Sequence, residues 1–167
     1  APTRISHQWV VNGLTEYDRK GAARRAYLAW YWDGNPTQFP LSDAPTTPYG
    51  RQRYDAFGRQ IQTFGLDGSV TLATRYHALS TDAYDASDLE PGPHQGSYVT
   101  AKKDGHGRAT VTVERVHEGN AMAEREIRTS YLFSGEVESI SRVRVGKPDA
   151  PVVRWMRYDS LGRMVLN

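Results

Sequence analysis

Alternation of apolar and polar residues is the dominant pattern along this chain. In segment 108–117, RATVTVERVH, Val111 and Val113 share one face with Ala109, and the intervening threonines occupy the other. The same period of two, or a similar composition, recurs in four further segments: 70–76, 127–133, 142–145 and 152–158. Because successive side chains of a β-strand point to opposite faces of the sheet, runs of this kind predict half-buried strands.

Glycine-containing turn signals separate these predicted strands. Glycine accepts positive φ, so Asp-Gly between alternating runs indicates a hairpin. The signals are Asp33-Gly34-Asn35-Pro36, Asp67-Gly68, Asp104-Gly105, Ser134-Gly135 and Val145-Gly146-Lys147-Pro148. Segments 35–50 and 83–96 read as longer loops. The sequence therefore predicts an all-β fold of antiparallel strands and hairpins.

Two segments leave a helical alternative open. Segment 17–32 contains KGAARRA, whose alanine, lysine and arginine favour helices, but it ends in the β-favouring cluster YLAWYW. Segment 121–128 is the second candidate helix.

A short motif repeats along the chain. YDAFGR at 54–59 recurs as YDSLGR at 158–163, and KDGHGR at 103–108 keeps the D-x-x-G-R part. YDRKGA at 17–22 keeps Y-D-x-x-G, and more degenerate copies begin at 76 and 131. The six units start at 17, 54, 76, 103, 131 and 158, and from 76 onward the spacing stays between 27 and 28 residues. Periods of this size are typical of repeat architectures.

The residue types of the motif have a physical explanation. An aspartate that starts a turn can bond its own downstream amide, and a glycine three residues later can close the turn in the left-handed region. The arginine then begins the next strand. Each unit is thus strand, turn, strand, turn, and it must stack on its neighbours because it cannot bury its own face. The residues assigned to this structural repeat are Tyr54, Asp55, Gly58, Arg59, Asp67, Gly68, Asp104, Gly107, Arg108, Tyr158, Asp159, Gly162 and Arg163.

This pattern resembles the YD-repeat, or Rhs-repeat, family. The similarity is carried by YDAFGR-x7-DG, by the terminal RYDSLGR, and by segment 75–116, which is similar to the Rhs-containing B and C components of Tc insecticidal toxin complexes. The first 50 residues match only weakly. The resemblance implies a curved β-sheet strip that spirals into a hollow shell around a toxic polypeptide. Family members cleave themselves in an aspartate-based core segment that follows the repeats, and this sequence contains no such segment.

The resemblance also implies a role. We expect residues 1–167 to form a single YD/Rhs-repeat domain or a fragment of one, acting as a non-catalytic scaffold. The expected partners are neighbouring Rhs repeats of a longer chain or of a sister subunit, and an enclosed toxin polypeptide or a surface glycan. The expected location is secreted or at the bacterial cell surface, as part of a larger exported assembly. No cofactor is expected.

Composition and charge exclude several kinds of binding and catalysis. The chain of 167 residues has no cysteine, which excludes disulfides, thiolate catalysis and cysteine-ligated zinc. The 21 lysines and arginines are interspersed with 19 aspartates and glutamates, so charge does not suggest a nucleic-acid partner. Apolar runs are too short for a membrane span.

Three hypotheses for a binding or catalytic site remain beside the scaffold hypothesis. Asp82, Asp85 and Asp88 form an acidic run that could offer oxygen ligands to calcium, although the EF-hand pattern is missing and a solvated acidic loop is the simpler interpretation. Trp30 and Trp32 could stack against a sugar, although alternation also fits a buried core face. A catalytic carboxylate pair is permitted by composition, but no motif selects one.

Overall fold

The chain is an antiparallel β protein. The structure is a computed structural model that describes residues 9–33, 45–119, 121–147 and 150–166. Its backbone contacts divide it into two units, Ala1–Thr71 and Leu72–Asn167, with the boundary inside strand β7 (Val70–Tyr76). Among the described residues, no helix is long and apolar enough to cross a membrane.

The first unit is built from hairpins. Its strands are β1 (Trp9–Val11), β2 (Thr15–Tyr17), β3 (Ala23–Tyr27), β4 (Trp30–Trp32), β5 (Tyr49–Tyr54) and β6 (Gln60–Phe64). Strands β2, β3, β5 and β6 lie side by side in that order, each antiparallel to its neighbour. Strands β1 and β4 form a separate antiparallel pair.

The second unit is a meander, in which each strand of the main sheet pairs with the next one along the chain. After β7 come β8 (Ser80–Asp85), the one-turn helix α1 (Ala86–Leu89), β9 (Val99–Lys103), β10 (Ala109–Glu118), β11 (Ala121–Tyr131), β12 (Val137–Arg144) and β13 (Val152–Trp155). A final hairpin joins β14 (Arg157–Tyr158) to β15 (Met164–Leu166).

β-Bulges recur at one place in the repeat. The strand register shifts immediately before the tyrosine that opens a unit, at Glu16/Tyr17, Arg53/Tyr54, Ser130/Tyr131 and Arg157/Tyr158. The extra residue lies each time on the strand after the turn, two positions beyond position 5, at Arg24, Ile61, Glu138 and Val165. The bulges are therefore part of the repeated unit.

The sheets bury few side chains. Among the described residues, the buried hydrophobic side chains are Tyr27, Phe64 and Val113, and no large side chain is fully buried. Large apolar side chains such as Leu72, Val152 and Trp155 stay exposed. Apolar side chains that stay exposed on a sheet are surface that another polypeptide can bury.

The structure corrects several details of the sequence analysis. Both candidate helices are wrong: segment 17–32 contains β3 and β4, and segment 121–128 lies in β11. Pairing with neighbouring strands outweighs the local helix propensity of alanine, lysine and arginine. The helix that does form, α1, lies in the predicted loop 83–96 because Asp85 caps it. The predicted strand 152–158 is divided between β13 and β14.

Three predicted turns and one predicted loop differ from the structure or lie partly outside its described residues. In the hairpin after β9, the glycine with positive φ is Gly107 rather than Gly105. Positions 34–44 lie outside the described residues, and with them most of the Asp33–Pro36 turn and of loop 35–50. Position 148, the proline that ends the turn signal at 145–148, is also outside.

Candidate functional site

A five-residue turn recurs in the chain and is the feature that the repeated motif encodes. In each copy the backbone N–H of position 1 donates to the carbonyl of position 5 at 2.8–2.9 Å. The N–H of the glycine at position 4 donates back to the carbonyl of position 1 at 3.0–3.1 Å. The copies are 18–22, 55–59, 65–69, 104–108, 132–136 and 159–163.

The glycine at position 4 is the constant residue of these turns. Its φ is positive in every copy, from 73° at Gly162 to 105° at Gly135, and it is 80° at Gly58. Residues with a Cβ rarely adopt this conformation. The sequence prediction that Gly58 and Gly162 occupy equivalent left-handed turns between antiparallel strands is thus confirmed.

Aspartate and arginine clamp three of the turns in the same way. In turn 104–108, Oδ1 of Asp104 accepts the backbone N–H groups of His106 and Arg108, both at 2.9 Å. Oδ2 of Asp104 accepts the side-chain Nε–H of Arg108 at 2.7 Å. The equivalent contacts of Asp55 with Arg59 and of Asp159 with Arg163 agree within 0.1 Å. One side chain therefore satisfies two turn amides and fixes the arginine.

These hydrogen bonds favour the ionised aspartate. The backbone N–H of Arg108 contributes most to lowering the pKa of Asp104, and the Arg108 side chain adds to the effect against a smaller opposing effect of desolvation. The pKa of Asp159 is lowered for the same reasons. At Asp55 desolvation is the largest influence and raises the pKa, but the combined hydrogen bonds from Arg59 and Phe57 outweigh it.

The other three turns form without the complete clamp. Asp18 accepts the N–H groups of Lys20 and Ala22, but position 5 of this turn is alanine and not the arginine of the clamp. The turn at 65–69 begins with Gly65, and its Asp67 accepts from Ser69 instead. The turn at 132–136 begins with Leu132. The glycine is thus common to all copies, and the clamp is a reinforcement.

Tyrosines connect one turn to the strand that follows an earlier turn. The hydroxyl of Tyr54 donates to the carbonyl of Ala23 at 3.0 Å, Tyr131 donates to Ala109 at 2.7 Å, and Tyr158 donates to Val137 at 3.0 Å. In each case the acceptor is the residue directly after position 5 of the earlier turn. The Y of the YD motif therefore joins consecutive units on one edge of the sheet.

The spacing of the motif follows from this geometry. In the second unit, turns 104–108, 132–136 and 159–163 start 28 and 27 residues apart. The chain crosses the sheet from one edge to the other and back over that length, through β10 and β11 in the first interval. Successive turns consequently return to the same edge, as the two tyrosine hydrogen bonds of this unit show.

The acidic run does not assemble as a calcium site. Asp82 accepts from Thr100 Oγ1 at 2.7 Å and lies 2.9 Å from His77 Nε2, whereas Asp85 and Asp88 form the capping box of α1. Asp88 is buried and also accepts from Ser97 Oγ at 2.7 Å. Within the described ranges, no three histidine, aspartate or glutamate side chains are grouped to hold a metal ion.

The tryptophan pair fits neither the sugar-stacking interpretation nor the buried-core interpretation. Trp30 and Trp32 share one face of β4, as alternation predicts, but both are half-buried, neither core nor open platform. The ring that faces solvent on this strand is Tyr31, which is 73% exposed.

An arginine–tyrosine column in the second unit was not predicted. The rings of Tyr84 and Tyr98 stack with centroids 4.4 Å apart. The Arg115 guanidinium lies 3.9 Å from the Tyr98 centroid, and that of Arg75 lies 5.5 Å from the Tyr84 centroid. Burial raises the pKa of Tyr84. The column joins residues of β7, β8 and β10, and only knowledge of the strand register could have revealed it.

Together the turns, bulges and tyrosine bonds define a hairpin-repeat β protein. Its fold matches that of a crystal structure of TcdB2-TccC3, with a TM-score of 0.66 and 22% identity over 80% of this chain. It also matches TcdB2-TccC3 without its hypervariable C-terminal region, at a TM-score of 0.66 and 17% identity over 94% of this chain. A third match is the Tc holotoxin pore of Photorhabdus luminescens, at 0.65 and 16% over 94%.

The chain spans 7% to 9% of the length of those chains. At these identities the similarity shows the fold alone. No family model matches the sequence, and no curated protein matches it either.

Proposed function

We propose that this chain is a section of a YD/Rhs-repeat shell wall, a non-catalytic scaffold that encloses or displays a toxin or effector polypeptide. The observation that carries the proposal is the series of turns 104–108, 132–136 and 159–163, which return to one edge of the sheet and are joined by tyrosine hydrogen bonds. The fold shared with Tc toxin components supports it.

Exposed apolar side chains at the turns support the proposal that this chain contacts other polypeptides. Three of the turns carry an apolar side chain that is largely exposed: Phe57 at 85% and Leu161 at 75% at position 3, and Phe133 at 108% at position 2. Exposed apolar side chains of this size are characteristic of contact surfaces. The proposed partners are further Rhs repeats of the same chain or of a sister subunit, in an assembly exported from a bacterium.

The test uses the polypeptide that contains residues 1–167 together with its natural flanking sequence. Negative-stain electron microscopy should show hollow particles, and protease treatment should leave an internal polypeptide intact until the particles are denatured. Solid particles without a protected polypeptide would contradict the proposal.

A matched pair of variants links protection to the repeated turn. Gly107→Ala places a Cβ at the positive-φ position and should lower the protection. Gly105→Ala changes the same turn at a glycine whose φ is not positive, and an added Cβ there meets nothing within 4 Å. This control should leave the protection unchanged, and equal losses in both variants would argue against the wall role of the turn.

A further inference from the structure

A groove of about 500 Å³ lies in the first unit, between the turns at 18–22 and 55–59. Five basic residues line it: Arg19, Lys20, Arg24, Arg51 and Arg53. Among the described residues, two acidic ones, Asp18 and Asp55, line it as well. The whole chain has a formal net charge of only +2. The positive charge of this groove is therefore a local concentration and does not reflect the overall charge of the chain.

The two acidic residues of the groove are already used by their own turns. Asp18 accepts the backbone N–H groups of Lys20 and Ala22 through Oδ1, and its charge attracts those of Lys20 and Arg24, so it offsets one of the five positive charges. Asp55 accepts the N–H groups of Phe57 and Arg59, and its charge is paired with the Arg59 guanidinium at 2.7 Å. Because Arg59 is not one of the five lining cations, Asp55 leaves their charge largely uncompensated.

Three of the five basic residues contact neutral groups through their side chains. Arg53 donates to Gln62 Oε1 at 3.0 Å, and Lys20 donates to the carbonyl of Ala56 at 2.6 Å. The Arg51 guanidinium lies 3.9 Å from the ring centroid of Phe64. Within residues 9–33 and 45–119, none of the five forms a salt bridge with a carboxylate.

We propose that this groove binds an oxyanion-bearing polysaccharide, one whose sulfate or carboxylate groups are repeated along the chain. A guanidinium presents a planar fork of donors that matches such groups. The groove is open and Arg19 and Arg24 are exposed, so each contact is screened and weak. Several contacts along one ligand are therefore needed, which favours a polymer over free sulfate.

The aromatic content of the groove disfavours nucleic acid. Single-stranded nucleic acids are held by bases that stack on aromatic side chains. Within the described part of the chain, Tyr54 is the one aromatic residue that lines this groove, and its hydroxyl is bonded to Ala23 and Gln52. The proposal goes beyond the scaffold role and does not depend on it.

Calorimetric titration of the 167-residue chain tests the proposal. The ligands are a heparin hexasaccharide, a hyaluronan hexasaccharide, a neutral dextran oligosaccharide, sodium sulfate, and a single-stranded oligonucleotide of matched charge. We expect saturable binding of heparin or hyaluronan that weakens as salt is added. Binding of hyaluronan would show that carboxylates suffice, whereas binding of heparin alone would show that sulfates and the higher charge density they bring are needed. Dextran and free sulfate should not bind measurably.

Variants place the binding in the groove. Arg19→Gln with Arg24→Gln removes two exposed charges from it, and affinity should fall roughly three- to tenfold. Lys102→Gln with Lys103→Gln removes two exposed charges from β9 and should leave affinity unchanged. Arg24→Lys keeps the charge but loses the fork, and it should give an intermediate affinity. Circular dichroism confirms that each variant is folded.

Three results would overturn the proposal. The first is the absence of saturable binding to either acidic oligosaccharide. The second is an equal loss of affinity in the groove variant and the β9 variant, which would indicate attraction to net charge alone. The third is oligonucleotide binding as tight as that of the acidic oligosaccharides, which would make the groove a general polyanion surface.

Discussion

Tyr131 is attached to the preceding repeat unit at two points. Its hydroxyl donates to the carbonyl of Ala109 at 2.7 Å, and the guanidinium of Arg108 lies 4.6 Å from the centroid of its ring. Arg108 is itself held by Asp104 in the clamp of the earlier turn. A motif tyrosine thus contacts the motif arginine of the unit before it, and the repeat in the sequence becomes a chain of contacts along one sheet edge.

Removing the Tyr131 hydroxyl should weaken this connection while keeping the ring. Tyr131→Phe loses one hydrogen bond and should lower the free energy of unfolding by about 1 kcal/mol. For a chain of this length that corresponds to a fall of about 2–4 °C in melting temperature. Tyr31→Phe is the control, because Tyr31 is 73% exposed. Equal melting temperatures for the two variants would show that the Tyr131 hydroxyl does not stabilise the fold.

The glycine at position 4 of turn 55–59 can be tested by strain. Gly58→Val should destabilise the chain by about 1–3 kcal/mol, because φ is 80° there and a branched side chain disfavours that conformation. An added Cβ would meet nothing within 4 Å, so the cost comes from the backbone rather than from a clash. Ala56→Val lies in the same turn without positive φ and should cost much less in chemical denaturation.

Acid should weaken the clamps. The pKa of Asp104 is lower in the folded chain than its ordinary value of 3.8, so its stabilising contribution is complete above that value. The contribution is lost as pH falls below 3.8 and through the folded-state pKa. Asp104→Asn, which cannot titrate, should flatten the decline of stability with acid in this window. Glu90→Gln, at an exposed carboxylate, is the charge-matched control. An unchanged acid profile in Asp104→Asn would exclude the clamp as its cause.

Local parts of the fold could be predicted from the sequence. Alternation identifies strands such as β10, and the D-x-x-G-R letters identify a turn whose donors and acceptors lie within five residues. The helical alternative at 121–128 is wrong because propensity is local, whereas strand β11 is fixed by its pairing with β10 and β12. The motif does not identify every such turn, because turn 65–69 forms with glycine in place of the first aspartate.

The non-local features required the structure. The bond between Tyr158 and Val137 spans 21 residues, and its partner depends on strand register. The groove near Arg24 joins residues of β3 and β5, which the chain separates by positions 28–48. Nothing in the local sequence states which strands pair, so these contacts could not be read from it.

The account rests on the claim that the repeated letters encode one turn, in which only the glycine at position 4 needs positive φ. Turn 104–108 contains two glycines, and Gly107 has a φ of 82° whereas Gly105 does not have positive φ. Neither meets an atom within 4 Å of an added Cβ, so the two differ in backbone conformation alone. The most direct test is the melting temperature of Gly105→Ala and Gly107→Ala. We predict that Gly107→Ala destabilises the chain by about 1 kcal/mol while Gly105→Ala leaves its stability unchanged or slightly raised. Equal effects of the two substitutions, or a larger loss at Gly105, would contradict the claim.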